Sequence, residues 1–238
     1  MAQEQKHLDK RTLTRLLKSG NWMIRMDNDG ESFNGFRWNP IGKWTETPVW
    51  NEKPTCNSGG LFGQNHKAAG YCTPGSRLVL CETDGQQIVV DDNKVKVRRA
   101  RILAVGAQIP VIFIENYPIS LNLSKFTGSL PLLASIGGNA NLRGYTGELP
   151  LLASIGENAD LRGRTGELPL LASIGGNADL AGYTWELPLL ASIGGNADLA
   201  GYTGELPLLA SIGGNADLAG YTRELPVGIK IAGMIFRD

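Results

Sequence analysis

From Leu130 to Glu224 the apolar positions recur with a period of 19 residues, in five copies that begin at Leu130, Leu149, Leu168, Leu187 and Leu206. Each copy reads close to LPLLASIGGNADLAGYTGE, and a sixth start at Leu225-Pro226 runs into a different ending. Counted from the first leucine, places one, three and four are leucine and place seven is isoleucine in every copy. Places eleven, thirteen, fifteen and seventeen are always alanine, leucine, glycine and threonine, while places nine, twelve, fourteen, sixteen and eighteen vary. The last four variable places are two apart, which is the side-chain period of a β-strand. In the first copy this predicts Ala140, Leu142 and Gly144 facing inward, Asn141, Arg143 and Tyr145 facing solvent, and Gly147 in the following turn. The other copies then place Asp160, Asp179, Asp198 and Asp217 in one outward column. Tyr183, Tyr202 and Tyr221 join Tyr145 in a second, with Arg162 beside the aspartates, Arg164 in place of one tyrosine, and Trp185 at an eighteenth place. The invariant threonine column (Thr146, Thr165, Thr184, Thr203, Thr222) is expected to face inward.

Nineteen residues are too few for a helix and a strand per repeat, and a pair such as Gly137-Gly138 weakens a helix. Each unit therefore reads as one coil of a parallel β-solenoid, with a strand near 139–145 and a leucine-lined return over 130–136. Coils stacked about 4.8 Å apart bury their leucine and isoleucine columns continuously. The pattern IxxNAxL followed by LPxL resembles a short leucine-rich repeat, although 19 residues fall just under that family's usual length. The asparagine column (Asn139, Asn158, Asn177, Asn196, Asn215) is expected to form an internal hydrogen-bond ladder at the turn rather than a ligand site.

The remaining text predicts a mainly β protein. A small N-terminal α+β domain covers 1–105, a degenerate capping coil 106–129, the five-repeat solenoid 130–224, and a C-terminal cap or dimerisation strand 225–238. Residues 8–19 pattern as an amphipathic helix with Leu13, Leu16 and Leu17 on one face and Gly20 as its stop. Trp22–Met26 and Phe33–Trp38 read as strands around a turn at 27–30, and Ile88–Val90 with Val95–Val97 as a hairpin across Asp91-Asp92-Asn93. Ile102–Val105 and Val111–Glu115 read as further strands. Four of the five tryptophans lie between 22 and 50, a set that could stack bases or sugars but that more simply forms the core of a small domain. Leu123–Ser129 (LSKFTGS) matches the end of the first repeat (LRGYTGE), so a degenerate coil begins near Val111 and covers the open N-terminal end of the solenoid. At the other end, the apolar run Val227–Phe236 is either a cap or a strand that pairs with a second copy.

Charge and candidate chemistry narrow the function. No run of 18 apolar residues exists, so no membrane span is expected, and the N-terminus lacks an apolar signal core. Three cysteines form no complete disulfide framework and suggest a reducing, cytoplasmic setting. Residues 1–129 carry 17 Lys+Arg against 12 Asp+Glu, whereas 130–224 carry 4 against 10, so the halves differ in sign. Cys56, His66, Cys72 and Cys81 are zinc-ligand types, but their gaps of 9, 5 and 8 residues lack the short knuckles of structural zinc sites. A Cys–His nucleophilic pair rests on residue types alone. Gly59-Gly60 and Gly63 lack nucleotide-loop spacing. No catalytic residue, metal or cofactor is expected.

The run GFRWNPIGKW (35–44), followed by Cys56 and Gly60-Leu61, resembles a small domain of unknown function found in bacteriophage and prophage proteins, often ahead of a repeat tail. The resemblance covers residues 22–105. Where that family usually has a histidine after the Gly-Leu pair, this chain has Phe62, with His66 further on. It implies a mobile-element origin and no transferable catalytic residues. The expected function is a non-enzymatic interaction module that binds a host or viral protein, as an inhibitor of host defence in its sharpest form. Its face comprises the four aspartates, the four tyrosines, Arg143, Arg162, Arg164 and Trp185. The alternatives are an assembly protein that forms dimers or fibres through Val227–Phe236, and a transferase-like enzyme in the N-terminal domain. Nucleic acid is not an expected partner.

Overall fold

The structure, a computed structural model, describes residues 8–32, 34–56, 59–70, 74–106, 109 and 120–237. The chain divides into two compact units at 113/114.

In the first unit, helix α1 (Lys10–Ser19) starts where the Asp9 carboxylate accepts the Thr12 N–H at 2.7 Å and stops at Gly20, whose φ of 68° suits glycine. Leu13 and Leu16 are buried, as the apolar stripe requires. Among the described residues of this unit seven strands follow: β1 (Trp22–Asp27), β2 (Trp44–Glu46), β3 (Leu61–Gly63), β4 (Arg77–Thr83), β5 (Gln87–Val90), β6 (Lys94–Val97) and β7 (Arg99–Val105). They form an antiparallel sheet ordered β1-β4-β7-β2 and a smaller one ordered β3-β6-β5. Met23, Trp38, Val79, Cys81, Val95, Val97 and Ile102 pack into one core.

Two expected turns appear as read. Asn28 pairs with Glu31 around Asp29 and Gly30, and the β5–β6 hairpin turns through Asp91 and Asp92, both at positive φ. The strand expected over Phe33–Trp38 does not form. Gly35 sits at φ 82° and only an isolated bridge, Glu31 to Arg37, remains, while Phe33 lies outside the described residues. Trp22 and Trp38 are buried. Trp44 lies under the guanidinium groups of Arg99 and Arg101 at 4.8 and 4.9 Å, and the Lys96 ammonium stands 5.3 Å from Trp50. The tryptophans are thus divided between core and cation contacts instead of forming one stacking platform.

The second unit is a parallel β-solenoid of about six coils. Each coil carries two short strands, exemplified by Ser135–Ile136 and Ala140–Asn141. Ser–Ile strands stack into a six-stranded sheet and Ala–Asp strands into a seven-stranded one. Every coil is in register with the next, so that Ala140 lies on Ala159 and Ile136 on Ile155. Places one, four, seven, eleven and thirteen are buried throughout Leu130–Leu218. The expected strand over 139–145 is shorter than read, because the chain turns after Leu142.

The degenerate coil is present where described. Leu121–Asn122 pairs with Ala140–Asn141, and Phe126 stacks on Tyr145 at 6.0 Å in the place that tyrosine fills elsewhere. Its expected start near Val111, with the strand Val111–Glu115, lies outside the described residues. The segment expected as a cap or dimer strand forms a further coil, with Lys230–Ile231 on Ser211–Ile212 and Ile235–Phe236 on Ala216–Asp217.

Candidate functional site

The outward columns begin with the turn chemistry. The side-chain oxygens of Asp160, Asp179, Asp198 and Asp217 each accept the backbone N–H two residues on, at 3.0–3.3 Å. The next N–H but one closes a turn onto the place-thirteen carbonyl (Tyr183 N–H to Leu180 O, 2.9 Å), with Gly182 at φ 69° between them. The left-handed glycine ends the strand's alternation and swings place sixteen to the opposite side.

The tyrosine column therefore lies inside, contrary to the period-two expectation. Tyr145, Tyr183 and Tyr202 are fully buried and Tyr221 is half-buried. Tyr183, Tyr202 and Tyr221 stack at about 6 Å with nearly parallel rings. Their hydroxyls donate across the core side of the turn: Tyr145 to Gly128 O, Tyr183 to Gly166 O and Tyr202 to Trp185 O, at 2.7–3.0 Å. Burial pushes the Tyr145 and Tyr183 hydroxyls up to about 12. Arg164, expected on the surface, is likewise buried, 5.0 Å from the Tyr145 ring. The same turn places Gly144 and the threonine column outside rather than inside.

The aspartates do face outward, half-buried, beside the asparagine ladder. Each asparagine side-chain oxygen accepts the backbone N–H of the next coil's asparagine, for example Asn177 to Asn158 at 2.7 Å, and the last accepts from Met234. Asn158, Asn177 and Asn196 are exposed, so this ladder lies at the surface. Alanine, aspartate and asparagine columns together line a shallow groove of about 430 Å³. Arg162 bridges two aspartates, reaching Asp160 at 2.7 Å and Asp179 at 2.9 Å. Burial works to raise Asp160, yet the Arg162 hydrogen bonds outweigh it and hold the carboxyl below its usual value. Asp179 sits above its usual value, chiefly through burial. Arg143 is exposed, and Trp185 is exposed with its indole N–H donating to Thr165 O at 2.6 Å.

One surface element was missed by sequence reasoning. The third-place leucines, read as core, are 39–54 % exposed: Leu132, Leu151, Leu170, Leu189 and Leu208. Pro131 and Leu132 are the corner residues of a turn that the Leu133 N–H closes onto Leu130 O at 3.1 Å, so Leu132 projects outward while Leu130 and Leu133 enter the core, and the later copies repeat it. The proline after the first leucine, which favours the second place of such a turn, was the available signal. The result is a lane of five identical apolar side chains along the solenoid.

The candidate chemistry of the N-terminal unit is dispersed. Cys81 is fully buried in the core, and burial pushes its thiol up to about 12. His66 is exposed beside Trp22, and Cys56 donates to the Asp91 carboxylate at 3.3 Å. Cys72 lies outside the described residues. Among the described residues no three His, Cys, Asp or Glu side chains are grouped to hold a metal ion, and no helix is long and apolar enough to cross a membrane.

Fold and surface together define a repeat protein of the parallel β-solenoid class. Comparison with protein-family models, with curated proteins and with solved structures finds no match to the chain.

Proposed function

We propose that the protein is a non-enzymatic interaction module whose solenoid surface binds a partner protein. The observation that carries this reading is the exposed leucine lane, five identical apolar side chains held in register on a rigid scaffold. Soluble proteins rarely expose a continuous apolar stripe without a use for it. The half-buried aspartates, Arg143, Arg162 and Trp185 supply the polar and aromatic contacts that give such a surface selectivity. On this reading the partner is a host or viral protein. The full-length chain, immobilised beside a Leu151→Gln/Leu170→Gln/Leu189→Gln variant, provides the test. A partner held by the wild type and lost from the variant, with the variant's melting curve unchanged, supports the reading. A partner held equally by both, or none held by the wild type, overturns it.

A second reading, self-assembly, is favoured by the coil at 225–237. There Val227 is fully exposed and Met234, Ile235 and Phe236 are 47–64 % exposed, on a coil whose two strands are the edges of their sheets. Light scattering on the full chain tests it. A dimer that becomes monomeric in Ile235→Lys/Phe236→Lys supports assembly, and a monomer at all concentrations removes it.

A further inference from the structure

The N-terminal unit contains a cleft of about 490 Å³ whose lining includes Arg25, Ser32, Phe36, Leu61, Phe62 and Lys94. Two of these are cations placed where cations are rarely found, Arg25 at 7 % and Lys94 at 8 % exposure. Among the described residues no Asp or Glu lines the cleft. Asp91, which is largely exposed and outside the lining, touches two residues that belong to it, the Lys94 ammonium at 3.5 Å and the Cys56 thiol at 3.3 Å.

The cationic end is rigidly built. The Arg25 guanidinium lies 4.3 Å from the Trp38 ring, and its Nη2 donates to Ser32 Oγ at 2.7 Å. Trp38 Nε1 donates to the same oxygen at 3.1 Å. Ser32 Oγ thus accepts two hydrogen bonds, and the proton on it is oriented to donate in turn. Lys94 is positioned by Asn93 Oδ1 at 3.1 Å. Gly59 and Gly60 also line the cleft and are packed too tightly for a side chain: a Cβ on Gly59 would meet Val49 O at 2.2 Å, and one on Gly60 would meet Lys96 Cγ at 2.4 Å. Phe36, Leu61 and Phe62 supply apolar wall, with Asn34 and Thr47 as further polar lining.

We infer that this cleft is a binding site for a small organic oxyanion, a phosphate or carboxylate held by Arg25, Lys94 and the Ser32 hydroxyl, with its apolar body against Phe36, Leu61 and Phe62. A planar guanidinium, an ammonium and a hydroxyl that line one cleft whose described lining contains no carboxylate suit a multidentate anion. A cleft of this size with mostly apolar walls and a few convergent polar groups is typical of small-molecule sites. The site lies wholly within the N-terminal unit and does not depend on the solenoid reading.

The test uses the full chain and two readouts. The first is calorimetric titration with inorganic phosphate, a mononucleotide and benzoate. The second is site-resolved alkylation of Cys56, which is exposed and lines the cleft. Expected are one-to-one saturation by a phosphate-bearing or carboxylate-bearing probe, at least about tenfold weaker binding in Lys94→Gln, unchanged binding in Arg15→Gln on the exposed side of α1, and slower Cys56 alkylation in the probe's presence. Which of the three probes binds separates phosphate from carboxylate and shows whether the apolar body contributes. Should Lys94→Gln lose its fold, Cys56 protection in the wild type decides alone. Absence of saturable binding by all three probes, or binding that neither protects Cys56 nor depends on Lys94, overturns the assignment.

Discussion

Arg164 occupies a place that tyrosine fills in four of the five coils. It interrupts the ring stack between Tyr145 and Tyr183 with a buried charge. Nη2 donates to Gly147 O and Glu167 O at 3.3 and 3.2 Å, but Nε and Nη1 are buried with no hydrogen-bond partner. Arg164→Tyr replaces this cation with a neutral ring that stacks on both neighbours and donates to Gly147 O, as the other tyrosines do. Relief of the unsatisfied buried charge is worth about 1–3 kcal/mol, so the urea midpoint should rise with an unchanged slope. An equal or lower midpoint would show that the guanidinium is better accommodated than its partners imply. The tyrosines themselves make stability pH-dependent. Burial, opposed in part by Arg164, raises Tyr145 and Tyr183 from about 10 to about 12, so the folded chain holds these protons more tightly than the unfolded one. Below pH 10 both states are protonated and this linkage changes nothing. Between about 10 and 12 the unfolded chain ionises first and stability falls. Thermal melts and tyrosinate absorbance across pH 9–12 should show the buried rings ionising only as the fold is lost. Full ionisation of all six tyrosines near pH 10 with the circular dichroism intact would contradict the buried column.

At the scale of the coil, the repeat was legible where periodicity and turn chemistry agree. The 19-residue register, the buried Leu-Ile-Ala-Leu places, the asparagine ladder and the β5–β6 hairpin all follow from spacing and from residues that favour turns. The candidate face was not, because the period-two reading of places twelve to eighteen holds only as far as Leu142. The Asp-Leu-Ala-Gly-Tyr text contains the reason: an aspartate that bonds its own i+2 amide, followed by a glycine able to take positive φ. Read as a turn, it places tyrosine inside and threonine outside. Two glycine columns now make separable predictions. Gly182 has φ 69° and open space around a would-be Cβ, so Gly182→Ala should cost only backbone strain, about 1 kcal/mol. Gly194 has no positive φ, but its Cβ would meet Gly175 O at 2.1 Å, so Gly194→Ala must push two coils apart. Ala232 stands at this place in the last coil, with its N–H still 3.0 Å from Ile212 O, where only one neighbouring coil has to yield. In the interior Gly194→Ala should be the more damaging by chemical denaturation, and the reverse order would remove close stacking as the reason for that column.

For the solenoid as a whole, stability is set by contacts between adjacent coils, since each coil pairs only with the one before and the one after. Such an array should tolerate loss of a complete repeat but not loss of phase. Deleting residues 187–205 joins Glu186 to Leu206 and leaves every leucine, isoleucine and asparagine column continuous. That variant should keep its circular dichroism signature and melt cooperatively at a lower midpoint, with a smaller denaturant slope reflecting one coil's less buried surface. Deleting residues 187–204 instead retains Glu205 as an extra residue. Every place beyond the junction is then offset by one residue, and apolar side chains that should enter the core are sent toward solvent. The coils after the junction should lose their protection from hydrogen exchange, while those from Leu121 to Glu186 retain it. Equal stability of the two deletions would mean that the coils adjust locally and that register is not what holds them. The expected difference also bears on the proposed interaction surface. A leucine lane is a single surface only while the 19-residue phase is kept, so partner binding should weaken modestly in the whole-coil deletion and vanish in the phase-shifted one.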